Sequence, residues 1–135
     1  DGRFLMVEEF DHGQTVFNQP AGHLDENESL YEAALRETLE ETAWEVELNA
    51  FLGTYQYFSP QNGITYIRHC FIASAVKHYP ELSLDKDIIA AHWLSSEEIL
   101  DFDFKARSPI VGKVLQDYLA GQRYPLSLIY QHVTS

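Results

Sequence analysis

Between Gly22 and Trp44 the chain carries a spacing that few sequences reach by chance: Gly22, five residues, Glu28, seven residues, then Arg36-Glu37-Thr38-Leu39-Glu40-Glu41. Ser29 with Glu32 three residues later is a capping-box signature, so a helix is predicted from there to about Thr42. At about 100° per residue Glu37, Glu40 and Glu41 project into one sector, with Leu30, Ala33 and Ala34 on the same side. Tyr31, Leu35 and Leu39 occupy the opposite side, so the helix is expected to be sandwiched. Carboxylates crowded beside apolar neighbours repel one another and are driven toward protonation unless a cation compensates them. Their hard oxygens suit Mg2+ or Mn2+ rather than zinc. The competing reading is a solvated acidic face tied by Arg36 and Glu40 at helical spacing, and apolar anchors on both sides weigh against it.

Gly22, Glu28, Arg36, Glu37, Glu40 and Glu41 together resemble the Nudix box, G-x5-E-x7-R-E-U-x-E-E-x-G-U. Thr38 stands where an aliphatic residue is usual, Ala43 replaces the second glycine, and Trp44 fills the last bulky position. Alanine in the left-handed turn that glycine normally supplies there costs about 1 kcal/mol. Asn18-Gln19-Pro20-Ala21-Gly22-His23-Leu24, Arg107-Ser108-Pro109 and Gly121-Gln122-Arg123-Tyr124-Pro125-Leu126 extend the likeness to NudJ-type phosphatases over nearly the whole chain. The resemblance implies an α/β fold in which a mixed β-sheet lies between α-helices. It also implies a magnesium-dependent hydrolase in which Glu37, Glu40 and Glu41 are catalytic and metal-binding while Gly22, Glu28 and Arg36 support the motif.

One domain is expected for 135 residues, and 45% hydrophobic residues supply a real core. A net charge of −12 with nine scattered basic residues lacks the cationic footprint of a DNA or RNA binder. A small polyanion remains open as a ligand, because bound metal neutralises both an acidic site and an incoming diphosphate. The single cysteine, Cys70, forms no internal disulfide and sits in an apolar run, which reads as packing and fits a reducing cytoplasm. No apolar run approaches a membrane span, so no membrane association is expected, and a monomer is favoured over an oligomer. Asp1-Gly2 is a turn pair opening onto Arg3–Glu9, so a hairpin is expected whose first strand precedes Asp1.

The rest of the chain alternates strands and turns. Asp11-His12-Gly13 marks a turn, Val16 to Asn18 a short extended piece, and Pro20 to Gly22 a loop. Glu47 to Phe58 and Thr65 to Val76 read as a hairpin across Ser59-Pro60-Gln61-Asn62-Gly63. Trp93 and Leu94 close another strand, Ser95 to Glu98 begin a short helix, and a last helix is predicted from Pro109 to Ala120. Ser108 caps that helix, Gly121 stops it, and Ile110, Val111, Val114, Leu115, Tyr118 and Leu119 give it an apolar face.

Outside the helix, Asp87 is the favoured further metal ligand, with Asp85 beside it and an ordinary turn aspartate as the competing reading. Arg107 beside the helix start at Ser108-Pro109 is a candidate phosphate dock, against a merely capped helix with an exposed arginine. Arg68 is a weaker substrate-binding candidate. Tyr57, with Tyr55 and Phe58, offers stacking for a base or pyrimidine, although strand aromatics are usually core. Six histidines show no metal-binding spacing. The leading expectation is a phosphohydrolase cleaving phosphoanhydrides of nucleoside tri- and diphosphates and, by resemblance alone, a hydroxymethylpyrimidine diphosphate from thiamine pyrophosphate metabolism, releasing orthophosphate. The alternatives are an isomerase on the same fold, which would need a catalytic cysteine, and a catalytically silent nucleotide-binding module.

Overall fold

The computed structural model describes residues 2–21 and 23–132. Strand β1 (Arg3–Asp11) and strand β2 (Gln14–Asn18) form a hairpin, and β5 (Ile88–Ser95) pairs antiparallel with the other edge of β1, giving the order β2-β1-β5. The hairpin turn uses His12 at φ 50° and Gly13 at φ 79°, the two positive values that a tight primed turn requires. Strands β3 (Trp44–Phe58) and β4 (Thr65–His78) make a second, longer hairpin. It starts three residues earlier than the hydrophobic pattern predicts because Trp44 pairs with His78 and stacks on its ring. All ladders among the described residues are antiparallel, and the parallel element is the isolated bridge between Phe17 and Ala106.

Helix α1 (Leu30–Thr42) begins where the capping box places it: Glu32 N–H donates to Ser29 Oγ at 2.9 Å and Ser29 N–H donates to Glu32 Oε1 at 2.8 Å. It ends on Ala43 at φ 62°, ψ 22°, whose N–H donates to Leu39 O. The left-handed turn therefore forms without glycine, at the strain expected for a side chain there. Tyr31 anchors one side of α1, donating to the carbonyls of Leu126 and Ile129 and meeting the Phe71 ring edge-on.

Ser95 caps the short helix α2 (Ser96–Ile99), and Ser108 caps α3 (Pro109–Leu119), beyond which Gly121 turns the chain at φ 88°. Helix α3 couples the two sheets. Val111 and Leu115 pack with Met6 and Ile99, while Ile110 and Val114 pack with Leu52 and, around it, Tyr55, Tyr57, Cys70 and Ile72. Each such aliphatic side chain contributes about 1.5–3 kcal/mol by leaving water, so α3 has a strong preference for this one seat. Between the sheets runs a cleft of about 1460 Å³, and α1 forms part of its wall.

Candidate active site

Helix α1 presents its carboxylates at graded depth. Glu40 is exposed, Glu37 partly buried, and Glu41 only 8% exposed. Oxygens of Glu37, Glu40 and Asp85 lie within 4.8 Å of one another at the rim. Asp85 is brought there by backbone, because its N–H donates to the carbonyl of Glu40 at 3.1 Å and Tyr79 N–H donates to the carbonyl of Ala43 at 2.8 Å. The end of α1 thus fixes the loop after β4. Glu41 does not join this trio but turns inward, accepting the Ala21 N–H at 2.9 Å. The three glutamates expected to share one sector are divided by depth.

Arg36 holds the outer side together. Its Nε donates to Glu28 at 2.6 Å, Nη1 to Glu37 at 2.7 Å and Glu40 at 3.0 Å, and Nη2 to the His23 carbonyl at 2.8 Å. Glu28 also accepts the Asp25 N–H, so this pair closes the loop before α1. Arg36 holds the Glu28 carboxyl below its usual pKa, with the Asp25 N–H assisting, and the same contacts raise the guanidinium pKa. Glu41 has the opposite environment. Burial pushes its pKa from 4.5 up to about 8; the Ala21 N–H counteracts this, and the charges of Glu37, Glu9 and Asp85 add to the rise.

Arg68 on β4 and Arg107, just before α3, line the same cleft as Glu37, Glu41 and Asp85. Arg107 is positioned by the parallel bridge, since its N–H donates to Phe17 O and Phe17 N–H donates to Lys105 O, both at 2.8 Å. Its Nη1 binds buried Glu9 at 2.8 Å, and Asp11 lies 3.8 Å from its Nε. Arg107 is thus in the cleft but already carries a carboxylate. The start of α3 is likewise engaged, with Ile110 N–H donating to Ser108 Oγ and Val111 N–H to Ser108 O. The picture of a free helix terminus awaiting phosphate is corrected accordingly. Arg68 faces the pocket rather than solvent, with Nη1 donating to Asn18 and Gln19 side chains.

Of the aromatic candidates, Tyr57 lines the cleft while packing near Leu52 and Val114. Tyr55 is tied to Asp117 at 2.8 Å, and Phe58 is 62% exposed. Asp87 lines the cleft, but its neighbour Asp85 is the one placed in the carboxylate trio; the Asp87 carbonyl instead accepts Phe10 N–H. Gly22 lies outside the described residues. Cys70 packs partly buried, and burial pushes its thiol up to about 11, which leaves it a poor nucleophile. Glu9, Asn18 and Gln19 were not signalled as site residues. The alternation of β1 puts Glu9 on the same face as buried Val7, which is the one signal that marks it as inward, and Asn18 and Gln19 read as ordinary loop entry.

Carboxylate oxygens from Glu37, Glu40 and Asp85, with Glu41 beneath them, form a hard donor set whose mutual repulsion a divalent cation would relieve. The NUDIX domain model matches residues 1–116. Phosphatase NudJ of Escherichia coli K12 is 40% identical over 129 residues, covering 96% of this chain and 83% of that protein. A NUDIX hydrolase from Nitrosomonas europaea superposes with TM-score 0.93 at 38% identity, covering 98% of this chain and 90% of the other. An Ap4A hydrolase from C. elegans shares the fold, with TM-score 0.68 at 21% identity over 88% of this chain and 85% of its own. The capped acidic helix, the carboxylates it aligns along a cleft, and these likenesses place the chain in the NUDIX family, as a Nudix hydrolase similar to phosphatase NudJ.

Proposed function

We propose that the protein is a Mg2+-dependent phosphohydrolase, with Mn2+ as an alternative ion, that cleaves phosphoanhydrides of nucleoside tri- and diphosphates and of hydroxymethylpyrimidine diphosphate, releasing orthophosphate. The observation that carries this reading is the approach of Glu37, Glu40 and Asp85 oxygens to within 4.8 Å, beside buried Glu41, at a cleft that Arg68 and Arg107 also line. A divalent ion bound by these carboxylates would neutralise phosphoryl charge and supply an acidified water. Glu37, Glu40, Glu41 and Asp85 are its candidate holders. Burial pushes the Glu41 carboxyl up to about 8 in the metal-free protein, and a bound divalent cation would lower it, so that the ionised carboxylate could accept a proton from water. Arg36 keeps Glu37 and Glu40 aimed, and Tyr57 offers a face for the heterocycle.

The acidic chain favours a small-molecule substrate over a polymeric nucleic acid. Among the described residues no helix is long and apolar enough to cross a membrane, in keeping with a cytoplasmic setting, and a monomer satisfies the geometry because the candidate residues come from one chain. A silent binding module gains nothing from burying Glu41 among other carboxylates, which costs stability. The isomerase alternative lacks its nucleophile, since Cys70 is packed and its thiol is raised. Incubation with Mg2+ and a panel of nucleotides, sugar nucleotides, dinucleotides and hydroxymethylpyrimidine diphosphate tests the reading. Phosphorus NMR of the GTP reaction should show GDP and orthophosphate first; early pyrophosphate with GMP and no GDP would refute stepwise release.

A further inference from the structure

The two arginines of the cleft have partners of different kinds. Arg107 binds the carboxylate of Glu9 at 2.8 Å, with Asp11 near its Nε. Arg68, partly buried, donates from Nη1 to Asn18 Oδ1 at 3.1 Å and to Gln19 Oε1 at 3.2 Å. Both acceptors are neutral amide oxygens, and among the described residues no carboxylate lies within ion-pair distance of Arg68. A guanidinium withdrawn from water without a counter-ion is costly, and burial accordingly pulls its pKa below the ordinary value. The arrangement is nonetheless held on purpose-built contacts. Gln19 Nε2 donates to the Val111 carbonyl in the first turn of α3 at 2.9 Å, which turns Gln19 Oε1 toward Arg68, and Asn18 is 4% exposed.

We propose that Arg68 receives the terminal phosphate of the substrate, that Gln19 is its positioning residue, and that Glu9 keeps Arg107 from this task. The assignment rests on the hydrolase reading above and narrows it to one cation. Neutral acceptors hold Arg68 Nη1 without ion-pairing it, so a phosphate oxygen pair meets a guanidinium whose charge is offset only by the more distant Glu9 and Glu41. Arg107 offers an approaching anion a charge that Glu9 has already offset.

The test uses the whole chain with Mg2+, inorganic pyrophosphate as calorimetric ligand, GTP kinetics, and urea unfolding. Arg68→Ala should weaken pyrophosphate binding at least 30-fold without loss of stability, because an uncompensated charge has been removed. Arg107→Ala should do the reverse, lowering stability because Glu9 is left buried and unpaired while changing pyrophosphate affinity less than threefold. Gln19→Glu keeps the side chain's size, gives Arg68 a carboxylate and loses the Nε2 donation to the Val111 carbonyl. It should raise the KM for GTP and weaken pyrophosphate binding about tenfold with kcat little changed, and it covers the case in which Arg68→Ala fails to fold. Arg68→Ala binding within threefold of wild type, or a larger loss in Arg107→Ala, overturns the assignment; unchanged KM in Gln19→Glu removes Gln19 from it. A wild-type protein that binds pyrophosphate with this variant pattern but hydrolyses no anhydride would refute the hydrolase reading and leave the anion site standing.

Discussion

Replacing Glu41 by Gln should stabilise the metal-free protein and abolish its activity. The side chain keeps its shape, and Gln Oε1 can still accept the Ala21 N–H that Glu41 accepts at 2.9 Å. What disappears is a carboxylate only 8% exposed, whose pKa burial pushes from 4.5 to about 8, with the Ala21 N–H opposing and Glu37, Glu9 and Asp85 reinforcing the rise. A folded-state value above the unfolded one means that the folded protein holds the proton more tightly. The associated stability is fully present below about pH 4.5 and is lost as pH rises through about 8. At ~1.4 kcal/mol per tenfold change in acidity the loss is at most ~5 kcal/mol, and water in the open cleft reduces it to roughly 2–3 kcal/mol. Urea unfolding in EDTA from pH 5 to 9 should show wild type falling relative to Glu41→Gln, the two curves separating by that amount near pH 9. With Mg2+ the gap should narrow, and turnover by the variant should be about a thousandfold lower. A variant less stable than wild type at pH 9 in EDTA would refute the claim that this charge is buried at a cost. Near wild-type turnover would remove Glu41 from the chemistry.

Saturating Mg2+ should raise thermal stability, by ~2.7 kcal/mol at a hundredfold excess over Kd, and the gain should shrink in Glu40→Gln and Asp85→Asn but persist in Asp87→Asn; equal shifts in all three, by scanning calorimetry, would dissolve the trio. Arg36→Lys retains charge but not the fork that reaches Glu28, Glu37, Glu40 and His23 O together, so urea midpoints should report a loss of about 1–3 kcal/mol. The expected hairpin between Arg3–Glu9 and a strand before Asp1 does not fit this sheet, because both edges of β1 are already paired, one with β2 and the other with β5.

The fold was legible wherever local chemistry and tertiary packing agree. Ser29 with Glu32 and Ser108 before Pro109 name helix starts by chemistry that spans three residues or fewer, and both form as written, with Glu32 N–H donating to Ser29 Oγ and Ile110 N–H to Ser108 Oγ. The start of β3 was less legible, because pairing of Trp44 with His78 is a partnership across 34 positions that no local pattern announces. Ala43 taught the converse lesson. Its left-handed conformation is imposed by Leu39 O, which accepts its N–H, and by Tyr79, whose N–H donates to its carbonyl, so tertiary contacts override the preference for glycine.

The site divides along the same line. Glu37, Glu40 and Glu41 could be read from helical spacing, but spacing gives azimuth and not depth. Depth separates exposed Glu40 from buried Glu41, and burial is what pushes the Glu41 carboxyl up to about 8. Asp85 and Asp87 are indistinguishable by sequence, both being turn aspartates in one loop. The choice falls to Asp85 because its own N–H reaches the Glu40 carbonyl, an acceptor left over at the end of α1 by the geometry of any helix terminus. The helix that carries two of the carboxylates therefore also recruits the third, through backbone alone. Substitutions of the Asp85 side chain should accordingly remove one carboxylate of the trio without unseating the loop.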